Sequence, residues 1–211
     1  MTAQKKPRKK TPPPPPGRPH GLRKRTLIFP ALLLLLSIGC SIFILTRQSD
    51  IPQTQQELVA LVEHQAAAEG ISDLLRELKA IVTVESNWSA EDVFQSSESL
   101  GLPPNSLSTV DSIEQGVHYY HTLLEKAAEL GVDQDAVFQA YNFGSGYLDF
   151  VAANGGVHTR ALAEEFSRIH SEGKVVSYPN PIAIAANGGW RYEYGNMFYV
   201  DLIHQALATI T

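Results

Sequence analysis

The sequence predicts an all-α domain preceded by a single transmembrane helix. Three observations predict it. Apolar residues recur at helical spacing between recognisable caps and stops, no segment alternates as a strand does, and one long stretch near the N-terminus carries no charge. With 211 residues, 44% of them hydrophobic, the chain is long enough for one compact domain plus appendages. It divides into a basic, proline-rich cytoplasmic tail (1–25), a transmembrane anchor (26–46) and an extracytoplasmic helical domain (47–211).

The division rests first on charge. Residues 1–25 hold nine Lys/Arg and no acid, whereas the rest holds eight Lys/Arg against all 22 Asp/Glu, a net −14. Between these regions runs "TLIFPALLLLLSIGCSIFILT", 21 uncharged residues, enough to cross a bilayer core. The basic "LRKR" before it keeps the N-terminal side in the cytoplasm. A cleaved signal peptide is the first alternative, and the bulky Ile42-Phe43-Ile44-Leu45 end argues against it. Lipidation at Cys40 is the second, opposed by Ser37 and by the apolar residues beyond the cysteine. Cys40 is the sole cysteine, so the outer domain must hold together by packing, without a disulfide. Five consecutive prolines make the tail an extended spacer. Its basic clusters suit anionic lipid headgroups, at about 1 kcal/mol per residue, and nucleic acid is not an expected partner.

The outer domain reads as successive helices. Residues 54–69 end at Gly70, and Ser72 can cap a helix whose apolar positions are Leu74, Leu75, Leu78, Ile81 and Val82. "DSIEQGVHYYHTLLEKAAELG" offers Asp111 as cap, Glu114 as capping-box partner and Gly131 as terminator. Asp133 caps the next helix, which fails at Gly144 and Gly146. Shorter helices follow near 147–153, 159–171 and 197–209, separated by turn chemistry in two "NGG" stretches and in "SYPNP".

In "IVTVESNWSAEDVFQSSESLG" an acid closes an apolar helix. Positions 74, 78, 81, 82 and 85 share one face, so Glu85 continues the apolar stripe. A carboxyl in partly apolar surroundings keeps its proton to higher pH, as a general acid requires. The alternatives are that the helix has frayed by residue 85, or that Glu85 pairs with a cation such as Arg191.

Three segments carry a family resemblance. "VESNWS…DVFQSSESLGLPPNSL", "SIEQGVHYY" and "QAYNFGSGYLDFVAANGG" together resemble the bacterial lysozyme-like (muramidase) domain of Gram-positive cell-wall hydrolases, related to goose-type lysozyme and soluble lytic transglycosylases. The closing "YGNMFYVDLIHQAL" is similar to that family's last helix. The resemblance implies a lysozyme-like fold and a peptidoglycan-cleaving muramidase, either a glycoside hydrolase (lysozyme) or a lytic transglycosylase. Its bond would be the β-1,4 link between N-acetylmuramic acid and N-acetylglucosamine, with Glu85 as catalytic acid and no cofactor or metal. It puts Gln95, Ser96 and Ser97 at the sugar cleft, matches Asp92 and Glu98 to acidic family positions, and sets Tyr141 and Asn142 opposite Glu85. Departures occur at Phe94, where Met is usual, and at Asn87-Trp88, where glycines are common; these are expected to alter cleft shape more than chemistry. The competing class is a non-catalytic, membrane-anchored peptidoglycan-binding scaffold or adhesin.

Other signals point elsewhere. His118 and His121 lie three apart on a helix but lack a third ligand at metal spacing. "GSG" at 144–146 has neither the lysine nor the preceding strand of a phosphate loop. The late aromatics Trp190, Tyr192, Tyr194, Phe198 and Tyr199 are expected in the core, with Trp190 and Tyr192 the better candidates for a sugar-stacking wall.

Overall fold

The computed structural model describes residues 54–210. The basic tail, the uncharged stretch at 26–46 and Cys40 lie outside the described residues, and so do the expectations that rest on them. Among the described residues, no helix is long and apolar enough to cross a membrane.

Helix α1 (Gln55–Ala68) begins in a complete capping box: Thr54 Oγ1 accepts from the Glu57 amide, and Glu57 Oε2 accepts from the Thr54 amide at 3.0 Å. A 3₁₀ turn (Ser72–Leu74) leads into α2 (Leu75–Glu85), so Ser72 opens the turn and no side chain caps α2. Helix α3 (Thr109–Leu130) has its cap three residues before Asp111, the cap expected from sequence. Ser108 is the cap, accepting from the Asp111 amide, while its hydroxyl donates to Asp111 Oδ2 at 2.6 Å. Gly131 closes α3 in the left-handed conformation, as expected. Asp133 Oδ1 caps α4 (Gln134–Phe143) through the Ala136 amide and also accepts from the His158 amide, tying a later loop to this cap.

Helices α5 (Gly146–Ala153) and α6 (Arg160–His170) follow. The next feature was not expected from the residue pattern. Strand β1 (Val175–Ser177) pairs antiparallel with β2 (Trp190–Tyr192) across the short helix α7 (Pro181–Asn187), placing Val176 opposite Arg191. Three residues per strand are too few to display alternation. Helix α8 (Tyr199–Thr209) closes the domain.

The core joins α2 to α8 and α3 to α4, with α4 touching α5 and α8 as well. Leu78, Ile81 and Val82 of α2 and Ile203 of α8 are fully buried, each worth about 1.5–3 kcal/mol relative to exposure. Phe94, expected to shape the cleft, is instead sealed in this core. Its ring lies so close to Gly116 of α3 that a β-carbon there would collide with it. This pairing draws the 86–108 segment down onto α3, and that placement forms one wall of the site.

Candidate functional site

A cavity of about 490 Å³ opens where the C-terminal end of α2 meets the 95–99 segment, α4 and the loop before α8. Six residues expected there line it together: Glu85, Gln95, Ser96, Glu98, Tyr141 and Asn142. Ser99, Tyr119, Phe143, Gly144, Tyr194 and Gly195 complete the wall and were not anticipated.

Glu85 is the last residue of α2 and has not frayed from it. Its half-buried side chain reaches the cavity, and Oε1 accepts a 2.6 Å hydrogen bond from the Tyr199 hydroxyl. Burial raises the carboxyl from its ordinary 4.5 to about 7, the Tyr199 bond opposes the rise, and the charges of Asp92 and Glu98 add to it. Desolvation wins over the hydrogen bond, so a substantial fraction of the group stays protonated at neutral pH. Arg191 is not its partner: that guanidinium donates to the carbonyls of Tyr192 and Gly195 and lies over the Tyr178 ring. Tyr199 is the functional neighbour that sequence reasoning assigned to the core; it is buried as well as bonded to Glu85.

Asp92 and Ser97 do not line the cavity. Both are fully buried behind its wall. Asp92 Oδ1 accepts from the Ser96 amide at 3.0 Å and from Ser112 Oγ at 2.6 Å, while Oδ2 accepts from the amide and hydroxyl of Ser97. Ser97 Oγ in turn accepts from the amides of Ser106 and Leu107. An irregular loop has no ladder to satisfy its amides, and this carboxylate and hydroxyl supply the missing acceptors. The consequence is positional: Gln95, held at φ 48, and Glu98 are presented to the cavity from a fixed frame. Gln95 Nε2 donates to the Asp92 carbonyl and to Asn105 Oδ1, both at 2.7 Å, which leaves Oε1 as its acceptor. The Ser96 hydroxyl donates to the Ser112 carbonyl.

Across the cavity, the Tyr141 hydroxyl donates to the Phe94 carbonyl at 3.0 Å, and burial pushes its ionisation well above the ordinary tyrosine range. It therefore serves as a neutral donor that ties α4 to the 86–108 segment. Asn142 Oδ1 accepts from the Asn196 amide at 2.6 Å. A backbone amide can only donate, so the oxygen must face Asn196, and the Asn142 amino group is what remains for a ligand. Asn196 itself also accepts from buried Gln139 at its carbonyl. Beside it, Gly195 has φ 52, and a β-carbon there would press on Phe143 and on Asn142 Oδ1.

The remaining candidates have other occupations. His118 and His121 both contact Glu69, at 3.2 and 2.9 Å, bracing α3 against the end of α1. Among the described residues, no cluster of His, Cys, Asp and Glu could hold a metal. Trp190 and Tyr192 pack edge to face on β2 outside the cavity, and the aromatic ring that does enter it from this region is Tyr194. Asn87 and Trp88 adopt φ of 49 and 62, a left-handed turn that glycine would take without strain.

Comparison with known proteins bears on the helical domain as a whole. The family model described as lysozyme-like matches residues 54–207. The bifunctional muramidase/DL-endopeptidase CwlT of Bacillus subtilis is 38% identical over 143 residues, which are 67% of this chain and 38% of that protein. The uncharacterized membrane protein YocA of the same organism is 34% identical over 71% of this chain and 67% of its own length. A crystal structure of a lipoprotein-like protein of the NLP/P60 family from Staphylococcus aureus superposes with a TM-score of 0.70 at 54% identity, covering 71% of this chain and 50% of that one. The chain thus spans well under two thirds of CwlT and half of the staphylococcal structure. Because the lysozyme-like model matches most of its length, the chain belongs to the lysozyme-like family.

Proposed function

We propose that the chain is a peptidoglycan hydrolase of the muramidase type, cleaving the β-1,4 bond between N-acetylmuramic acid and N-acetylglucosamine with Glu85 as general acid. The observation that carries this reading is the Glu85 carboxyl at the cavity, hydrogen-bonded by Tyr199 and raised to about 7. Such a group delivers a proton to the glycosidic oxygen as the bond breaks and an oxocarbenium-like species develops. Gln95, Ser96, Glu98, Tyr141 and Asn142 form the saccharide-binding wall, offering an amide acceptor at Gln95 and an amide donor at Asn142 to hydroxyl and N-acetyl groups. Asp92 and Ser97 act by holding that wall in place.

CwlT is named for two activities, and the match takes in only part of it. The glycosidase activity suits this cleft better than the peptidase one. The cavity lining contains no cysteine or histidine, and the buried Ser96 hydroxyl is engaged with a backbone carbonyl instead of a base. We place the domain outside the cytoplasm on the predicted 26–46 anchor, a reading supported by the segregated charge and by the resemblance to YocA, which is named as a membrane protein.

The test is to incubate the full chain with purified peptidoglycan and identify released fragments by mass spectrometry. Fragments ending in reducing muramic acid, or in its 1,6-anhydro form where the sugar's own 6-hydroxyl captures the intermediate, support the assignment. Fragments ending in reducing glucosamine refute the bond. Co-sedimentation with the wall and no released fragment would identify a binding scaffold.

A further inference from the structure

The cavity wall carries no cation. The described basic residues are Arg76, Lys79, Lys126, Arg160, Arg168, Lys174 and Arg191, and none of them lines it. Two of them bond backbone at or beside the lining and are committed there. Lys126 is bound to the Ser145 carbonyl and to Asp149, and Arg191 to the carbonyls of Tyr192 and Gly195. The acids are disposed differently. Asp92 is buried, with both oxygens saturated by hydroxyl and amide donors. Glu85 is capped by Tyr199. Of these acids only Glu98 is solvent-exposed at the cavity wall, and among the described residues no hydrogen bond or ion pair engages its carboxylate, which lies next to Ser99 and within electrostatic reach of Glu85.

A free carboxylate in a cation-free saccharide cleft discriminates by charge. It attracts a positive group on the bound strand and repels a negative one. We propose that the cleft favours strands bearing a primary ammonium group, foremost a 2-amino sugar whose acetyl group has been removed, and that Glu98 is the residue that selects them. This rests on the glycan-cleaving reading above and adds the charge of the substrate to it. Glu98 positions the strand; it takes no part in bond breaking.

The same ammonium chemistry exists in stem peptides, so two substrate arms are needed. One uses peptide-free glycan strands containing 2-amino sugars; the other uses fully N-acetylated strands that retain stem peptides with free amines. Each is assayed before and after acetic anhydride, which neutralises the amines. The quantity read is the ratio of kcat/KM on untreated to treated strands, measured with the full chain at low salt. Because Glu98 is exposed, Glu98→Gln lowers that ratio by about two- to fivefold. Glu98→Lys lowers it further, and raising the salt several-fold erases the difference between variants. A change in the first arm assigns the amino sugar, and a change in the second assigns the stem peptide. Ratios that are the same in both variants and both arms overturn the proposal, even where cleavage is robust. Were no strand cleaved, the muramidase reading would fail instead, and the same ratio taken from co-sedimentation affinities would still decide the role of Glu98.

Discussion

The Tyr199 hydroxyl bonds Glu85 at 2.6 Å across 114 residues of sequence, joining the last turn of α2 to the first residue of α8. Two opposing effects meet in this contact. Burial disfavours the carboxylate anion, and the phenol donates to it. The sum leaves the acid near 7, far from its ordinary 4.5.

Removing the donor therefore shifts the pH dependence in a defined direction. Tyr199→Phe deletes the only effect named here that lowers the Glu85 value, so the carboxyl keeps its proton to higher pH. The alkaline limb of the kcat profile should move upward, while activity at the optimum falls because the carboxyl loses its orienting partner. A titration of rate against pH for both proteins checks the sign. A downward shift would show that Tyr199 acts otherwise.

Glu85 also makes a signed contribution to stability. Its folded value of about 7 lies above the unfolded value near 4.5, so the native state holds the extra proton between those limits. The penalty is absent below about 4.5, grows as pH rises toward 7, and levels off above, at up to roughly 3 kcal/mol. Glu85→Gln should accordingly match the parent at pH 4, exceed it in thermal stability at pH 8, and lose hydrolysis by about 10²–10⁴-fold. Paired melting curves at the two pH values, with an activity assay, test all three parts.

Much of this site was legible in the sequence, and the failures have physical reasons. The helical stripe through Leu78, Ile81 and Val82 pointed Glu85 inward because a regular helix fixes direction from spacing. The 92–99 segment has no such period, so nothing in its order separated the cavity-facing Gln95 and Glu98 from Asp92 and Ser97, which turn into the interior. Tyr199 was hidden differently. A buried tyrosine on an apolar helix reads as core, and only the fold reveals that its hydroxyl meets an acid. The cap of α3 moved from Asp111 to Ser108 because both residues suit a cap and the hydroxyl comes first in the chain.

The buried Asp92 hub makes the loop prediction sharp. Asp92→Asn keeps the size of the side chain but replaces one acceptor oxygen with a donor facing the Ser97 or the Ser96 and Ser112 groups. The expected cost is about 2–4 kcal/mol. Faster proteolysis within 92–108 and reduced turnover should accompany it, since Gln95 and Glu98 lose their frame. Denaturant melts and limited digestion measure the two effects, and an unchanged melt would contradict the role.

Gly195 sits where a side chain has no room. Gly195→Ala should push Phe143 and Asn142 Oδ1 aside and strain a φ of 52. A loss of about 1–3 kcal/mol follows, together with a raised KM, because Asn142 presents its amino group to the cavity only while Asn196 holds its oxygen. Steady-state kinetics on soluble glycan fragments would show the KM change, and an unaltered KM would remove Asn142 from the binding wall.

The proposed chemistry requires Glu85 to keep its proton at neutral pH beside the cavity. Carbon-detected NMR titration of the side-chain carboxyls, with the Glu85 signal assigned by its loss in Glu85→Gln, measures this directly. That signal should show a midpoint near 7; a midpoint at the ordinary 4.5 would mean that Glu85 is ionised at neutral pH and is no general acid.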